Sequence, residues 1–126
     1  MTEIIRTPGQ SSVLPGAVRA GNLILTSGAI GTSVFATLRT EERTPFPQQA
    51  AEALAEVIRH VEDAGGTKDT ILRIEVFLAS KDFYPAWNAE FQKVWPEPGP
   101  ARSVAIVELA NPAILIELHA VAVAAE

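Results

Sequence analysis

The chain is 126 residues long, 48% hydrophobic and 20% charged, with a net charge of −5. That balance predicts a single folded domain over 1–126 and excludes a disordered chain. With no Cys in the sequence, disulfides, thiolate metal sites and a cysteine nucleophile are excluded, and the acidic charge without any basic run argues against nucleic-acid binding. The opening Met1-Thr2-Glu3-Ile4-Ile5-Arg6 lacks the charged-then-apolar order of a signal peptide, and no apolar run is long enough for a bilayer. The expectation is a soluble cytoplasmic protein.

In chain order, residues 3–6 predict a short edge strand, followed by loops at Pro8-Gly9-Gln10-Ser11-Ser12 and Pro15-Gly16. Ala17-Val18-Arg19-Ala20 and Leu23-Ile24-Leu25-Thr26-Ser27-Gly28 flank Gly21-Asn22, the signature of a hairpin. Residues 31–47 show little periodicity and predict an irregular connection, its charges between Arg39 and Arg43 solvated. A helix is predicted over 48–64 from Ala51, Leu54, Ile58 and Val61, with Gly65-Gly66 ending it. His60 is expected on its exposed side.

Residues 70–78 predict a strand with Ile74, Val76 and Leu78 on one face. Asp82 is placed as the cap of a second helix reaching about Trp95, with Pro85 in its first turn and Phe83, Trp87, Phe91 and Val94 as core. Pro96-Glu97-Pro98-Gly99-Pro100 forms a loop, and strands over 102–107 and 115–123 close the chain. The order β-β-β-α-β-α-β-β is an α+β plan, a mixed sheet with two helices on one face. Apolar residues also line the other face, which predicts a homo-oligomer.

Two charges in the last quarter stand out. Glu117 lies between Ile116 and Leu118, where an isolated carboxylate is too costly to bury, so it must be paired, wet or functional. Arg102 is the obvious opposite charge. On neighbouring strands the two would hold a small anion and activate a water beside it, or form a structural ion pair. His119, two residues after Glu117, falls on the same strand face and reads more readily as a hydrogen-bonded sheet or interface residue than as a catalyst.

Several fragments, in order, resemble the Rid family (RidA/YjgF, also called L-PSP endoribonuclease-like). They are Ala20-Gly21-Asn22-Leu23, Thr26-Ser27-Gly28, Glu75-Val76-Phe77-Leu78, Asp82-Phe83, Asn88, Pro100-Ala101-Arg102-Ser103 and Ile116-Glu117-Leu118-His119-Ala120-Val121-Ala122-Val123. The resemblance runs from about Pro15 to Val123. It implies a chorismate-mutase-like fold and a homotrimer with clefts between subunits. It also implies hydrolysis of carboxylate-bearing imines or enamines to 2-oxo acids and ammonia, as in 2-iminobutanoate/2-iminopropanoate deaminases, with no cofactor or metal.

By resemblance, Arg102 grips the substrate carboxylate, where a planar fork suits two oxygens, and Glu117 positions or deprotonates the attacking water. Ser27 and Gly28 line the cleft, and Asn88 lies near it. Leu14 stands where well-studied members have a tyrosine, and Val104 where they have a cysteine two residues after the arginine. Ser27-Gly28-Ala29-Ile30-Gly31 replaces the familiar Ser-Gly-Gln-Ile-Pro. These departures mark a divergent subgroup. They motivate two alternatives: a small-molecule-binding trimer without catalysis, and a hydrolase of another substrate in a catabolic pathway. Endoribonuclease activity is disfavoured by the acidic charge.

Overall fold

Alternate apolar residues side by side on neighbouring strands generate a buried sheet face. The computed structural model describes all of residues 1–126. Its strands are β1 (Ile4–Arg6), β2 (Ala17–Ala20), β3 (Leu23–Thr26), β4 (Ile71–Leu78), β5 (Ala101–Ile106) and β6 (Ile116–Val123), and its helices are α1 (Phe46–Asp63) and α2 (Tyr84–Val94). They form one six-stranded sheet in the order β1-β2-β3-β6-β4-β5. All pairs are antiparallel except β4 with β5. A parallel pair needs a crossover, which α2 supplies between them.

Along β4 and β6, Ile74 lies opposite Ala120, Val76 opposite Leu118 and Leu78 opposite Ile116. These six residues are buried, as are Ile24 of β3, Trp87 of α2, and Ala53, Leu54, Val57 and Val61 of α1. The core therefore sits between one sheet face and the two helices. Each Leu, Ile or Val buried there stabilises the fold by roughly 1.5–3 kcal/mol. The β2–β3 hairpin turns at Gly21, whose φ of 59° is left-handed and costs glycine nothing.

The opposite face has no helix over it. Leu23 and Leu25 are 45% and 47% exposed there, directly opposite Val123 and Val121 of β6. Towards β5 the same face becomes polar, with Arg73, Glu75 and Ser103. No helix is long and apolar enough to cross a membrane.

Several boundaries differ from the sequence reading. α1 begins at Phe46 rather than 48, with Pro47 in its first turn, where a missing N–H costs no intrahelical bond. Its buried stripe includes Ala50, Ala53 and Val57, while Ala51 is exposed. The segment 31–47 is more ordered than its composition implies. A 3₁₀ turn over Thr32–Thr37 buries Val34, and the Glu52 carboxylate accepts from the Ser33 backbone N–H and hydroxyl at 2.8 and 2.7 Å. Burial acts to raise the pKa of Glu52, but these bonds and one from Gln48 hold it below the ordinary carboxylate value. Asp82 does not cap α2: the cap position is Phe83, with no side-chain bond, and Ser80 instead caps the preceding 3₁₀ turn over Lys81–Phe83, its hydroxyl accepting from the Asp82 N–H at 3.1 Å.

Candidate active site

Glu117 is placed by strand alternation. Its neighbours Ile116 and Leu118 point into the core, so its own side chain emerges on the open face. The Ser27–Ile30 segment leaves β3 alongside it, with Ala29 bonded both ways to Leu118 at 2.8 and 3.0 Å. This brings Gly28 against the Glu117 carboxylate. A Cβ at position 28 would lie 2.6 Å from Glu117 Oε2, so only glycine leaves the carboxylate where it is.

Ser27 uses its hydroxyl to donate to the Pro15 carbonyl at 2.7 Å, while its N–H donates to the Gly16 carbonyl at 2.9 Å. These bonds hold the preceding loop, including Leu14, over the site. The result is a groove of about 700 Å³ whose lining includes Leu14, Ser27, Gly28, Phe35, His60 and Glu117. Leu14 is half-exposed at its wall. Four of the sequence-predicted residues, Leu14, Ser27, Gly28 and Glu117, thus share one groove.

Arg102, Asn88 and Val104 belong to a second cluster. Arg102 lies opposite the buried Ile74 on β4, so its side chain leaves β5 on the helix side. There the guanidinium stacks over the Phe91 ring at 4.6 Å, donates to Asn88 Oδ1 and reaches the Tyr84 hydroxyl at 3.3 Å. Tyr84, Asn88 and Phe91 fall at helical spacing on one stripe of α2. That spacing was the available signal for Tyr84 and for the arginine-facing role of Phe91, neither of which the sequence reading assigned. Val104 shares Arg102's face and packs against the core.

Two expectations are corrected. Arg102 and Glu117 are not on neighbouring strands, because β4 lies between β5 and β6, and within one chain their side chains leave the sheet on opposite faces. They form no ion pair here. His60 is buried, not exposed. Its ring lies against Gly16, and Nε2 is 3.3 Å from Glu56 Oε1. Burial lowers the pKa of His60, which Arg59 also favours, against the opposing pull of Glu56 and Asp63. His119 shares Glu117's face as expected, with its Nε2 2.9 Å from Glu117 Oε2.

Known proteins are similar to this chain in architecture and in sequence. A protein named 2-iminobutanoate/2-iminopropanoate deaminase from Dermatophagoides farinae is 31% identical over 96 residues, 74% of this chain and 72% of that protein. A RutC family protein from Haemophilus influenzae is 32% identical over 130 residues, covering 98% of each. The crystal structure of NMB1025, a YjgF family member from Neisseria meningitidis, superposes with a TM-score of 0.81 at 24% identity, covering 98% of this chain and 97% of that one. The family model described as Endoribonuclease L-PSP matches residues 8–124, so this chain belongs to that family, the YjgF/RidA family its motifs resemble.

Proposed function

We propose that the protein hydrolyses carboxylate-bearing imines or enamines to 2-oxo acids and ammonia, working as a homotrimer with its clefts between subunits. The carrying observation is the separation of two prepared groups. Arg102 is stacked and braced on the helix side, and Glu117 is seated against Gly28 on the open face. Two such halves meet only if a second copy docks, and the apolar Leu23, Leu25 region offers a surface for docking. The deaminase name carried by a similar protein supports the same chemistry.

Both Arg102 bonds run from Nη2, which leaves the Nε and Nη1 N–H groups, on separate edges of the guanidinium, to donate to a substrate carboxylate. With the substrate so held, the water oxygen attacks the iminium carbon, and the C=N π pair moves to nitrogen. Glu117 takes the proton that water releases. It then returns that proton to nitrogen, the C–N bond breaks with its electron pair, and ammonia leaves. The remaining hydroxyl proton is released as C=O forms. Proximity and general-base action together account for several orders of magnitude in rate.

The test generates 2-iminoacids in situ with an amino-acid oxidase plus catalase and traps surviving imine with semicarbazide. The wild-type protein lowers the trapped signal. Arg102→Ala loses about a hundredfold in kcat/KM, the worth of a charged hydrogen-bond pair. Glu117→Gln binds but turns over about 10²–10⁴-fold more slowly; a normal rate in that variant refutes the base assignment. One observation favours a narrower reading. Leu14 and Phe35 line an apolar wall and the Ser27 hydroxyl is already engaged, which suits a longer, less polar substrate, such as one from a catabolic sequence.

A further inference from the structure

His119 and Glu117 form a same-face pair that the mechanism above leaves unused. His119 Nε2 sits 2.9 Å from Glu117 Oε2, with the two side chains 39% and 30% exposed. Residues two apart on a strand point the same way but need not touch, so the pairing depends on what surrounds the ring. The carboxylate directly across from His119 on β4 is Glu75. Glu75 pairs instead with Arg73 Nε at 3.4 Å, and Arg73 in turn donates to the Ser103 hydroxyl at 3.0 Å. Phe77, directly across from Glu117, packs its ring 4.9 Å from the imidazole at a 53° tilt. The ring is thus braced by Phe77 and aimed at Glu117.

The two oxygens of Glu117 are not equivalent. Oε2 receives the His119 contact and is also the atom nearest the position a Gly28 side chain would take. Oε1 makes no hydrogen bond within the chain. We infer that His119 is a positioning residue for Glu117: its Nε2–H donates to Oε2, which fixes the carboxylate so that Oε1 faces the attacking water. A base held by one oxygen keeps its second oxygen in a fixed place, and general-base rates fall steeply when that place is lost. The inference rests on Glu117 acting as the base.

The experiment compares His119→Leu and His119→Gln in the imine-trapping assay, beside the wild type and Glu117→Gln. His119→Leu keeps the ring's approximate volume and loses the donor. It is expected to lower kcat about tenfold to a hundredfold with KM near that of the wild type, because Arg102 holds the substrate. His119→Gln, whose amide reaches the same oxygen, is expected to recover most of the loss. Equal losses in both variants, an unchanged kcat in His119→Leu, or a change confined to KM would overturn the inference. Nitrogen-15 imidazole spectra of the wild-type protein give a readout independent of turnover. A proton on Nε2, with a resonance that moves in Glu117→Gln, is expected, and a neutral ring protonated only at Nδ1 overturns the assignment. Failure of the underlying reading looks different: Glu117→Gln itself then keeps the wild-type rate.

Discussion

Gly28→Ala isolates the seating of Glu117 from its chemistry. A methyl group at position 28 would lie 2.6 Å from Oε2 and 2.8 Å from Cδ, whereas ordinary contact begins near 3.4 Å. The carboxylate must therefore retreat by about 0.8 Å, and the flexible end of a glutamate can do so by turning its side-chain torsions, at a cost of order 0.5–1.5 kcal/mol. Because no backbone is pushed, the fold should tolerate the change, with a melting shift of only a few degrees. A displacement near 1 Å of a catalytic group costs about a hundredfold in rate. Steady-state kinetics in the trapping assay should show that loss in kcat, with KM little altered. A Gly28→Ala protein that turns over at the wild-type rate would refute the claim that the close approach of Gly28 sets the working position of Glu117.

Other consequences are separable from this one. Asn88→Ala removes the acceptor bracing Arg102 and should raise KM about fivefold, the worth of about 1 kcal/mol, while kcat changes little; an unchanged KM contradicts the bracing role. Gln49 is fully buried, donates to the Thr44 and Ala113 carbonyls and accepts from the Leu115 N–H at 2.9, 3.0 and 3.0 Å. Gln49→Leu strands three backbone groups and should cost about 3 kcal/mol, lowering the melting temperature by about 10 °C. The lowered pKa of His60 means that the unfolded chain binds its proton first. Stability should be full above about pH 6.5, the ordinary histidine value, and fall as pH drops through it towards the lowered folded value. His60→Leu should flatten that part of a melting-versus-pH series, and an unaltered slope would show that His60 does not cause it.

The order of strands and helices was legible because each element carries its own period: β4 alternates, α1 repeats at helical spacing, and Gly21-Asn22 marks a turn. What escaped was set by contacts distant in sequence. His60 lies three residues after Val57 and seven after Ala53, on the stripe that is buried, whereas a stripe centred on Ala51, Leu54 and Ile58 leaves it outside; the loop ending at Gly16 completes its cover. Arg102 and Glu117 lie on strands consecutive in the chain, and nothing local says that β4 will be inserted between them. The residues of the candidate site were legible one at a time through family motifs. Their division into a groove cluster and an α2 cluster follows from sheet order and alternation, which the motifs do not encode.

The placement of Arg102 and Glu117 on opposite sheet faces has a genetic counterpart. In a threefold ring whose clefts join Glu117 of one copy to Arg102 of the next, two inactive variants can complement each other. Any ring that mixes Arg102→Ala with Glu117→Gln subunits contains one cleft with both native residues. Refolding equal amounts together should then restore about a quarter of wild-type activity from two dead proteins. By the same geometry, a subunit defective at one of the two residues spoils one cleft and costs only its share of the activity, whereas a subunit defective at both spoils two, so that its harm exceeds its share of the subunits.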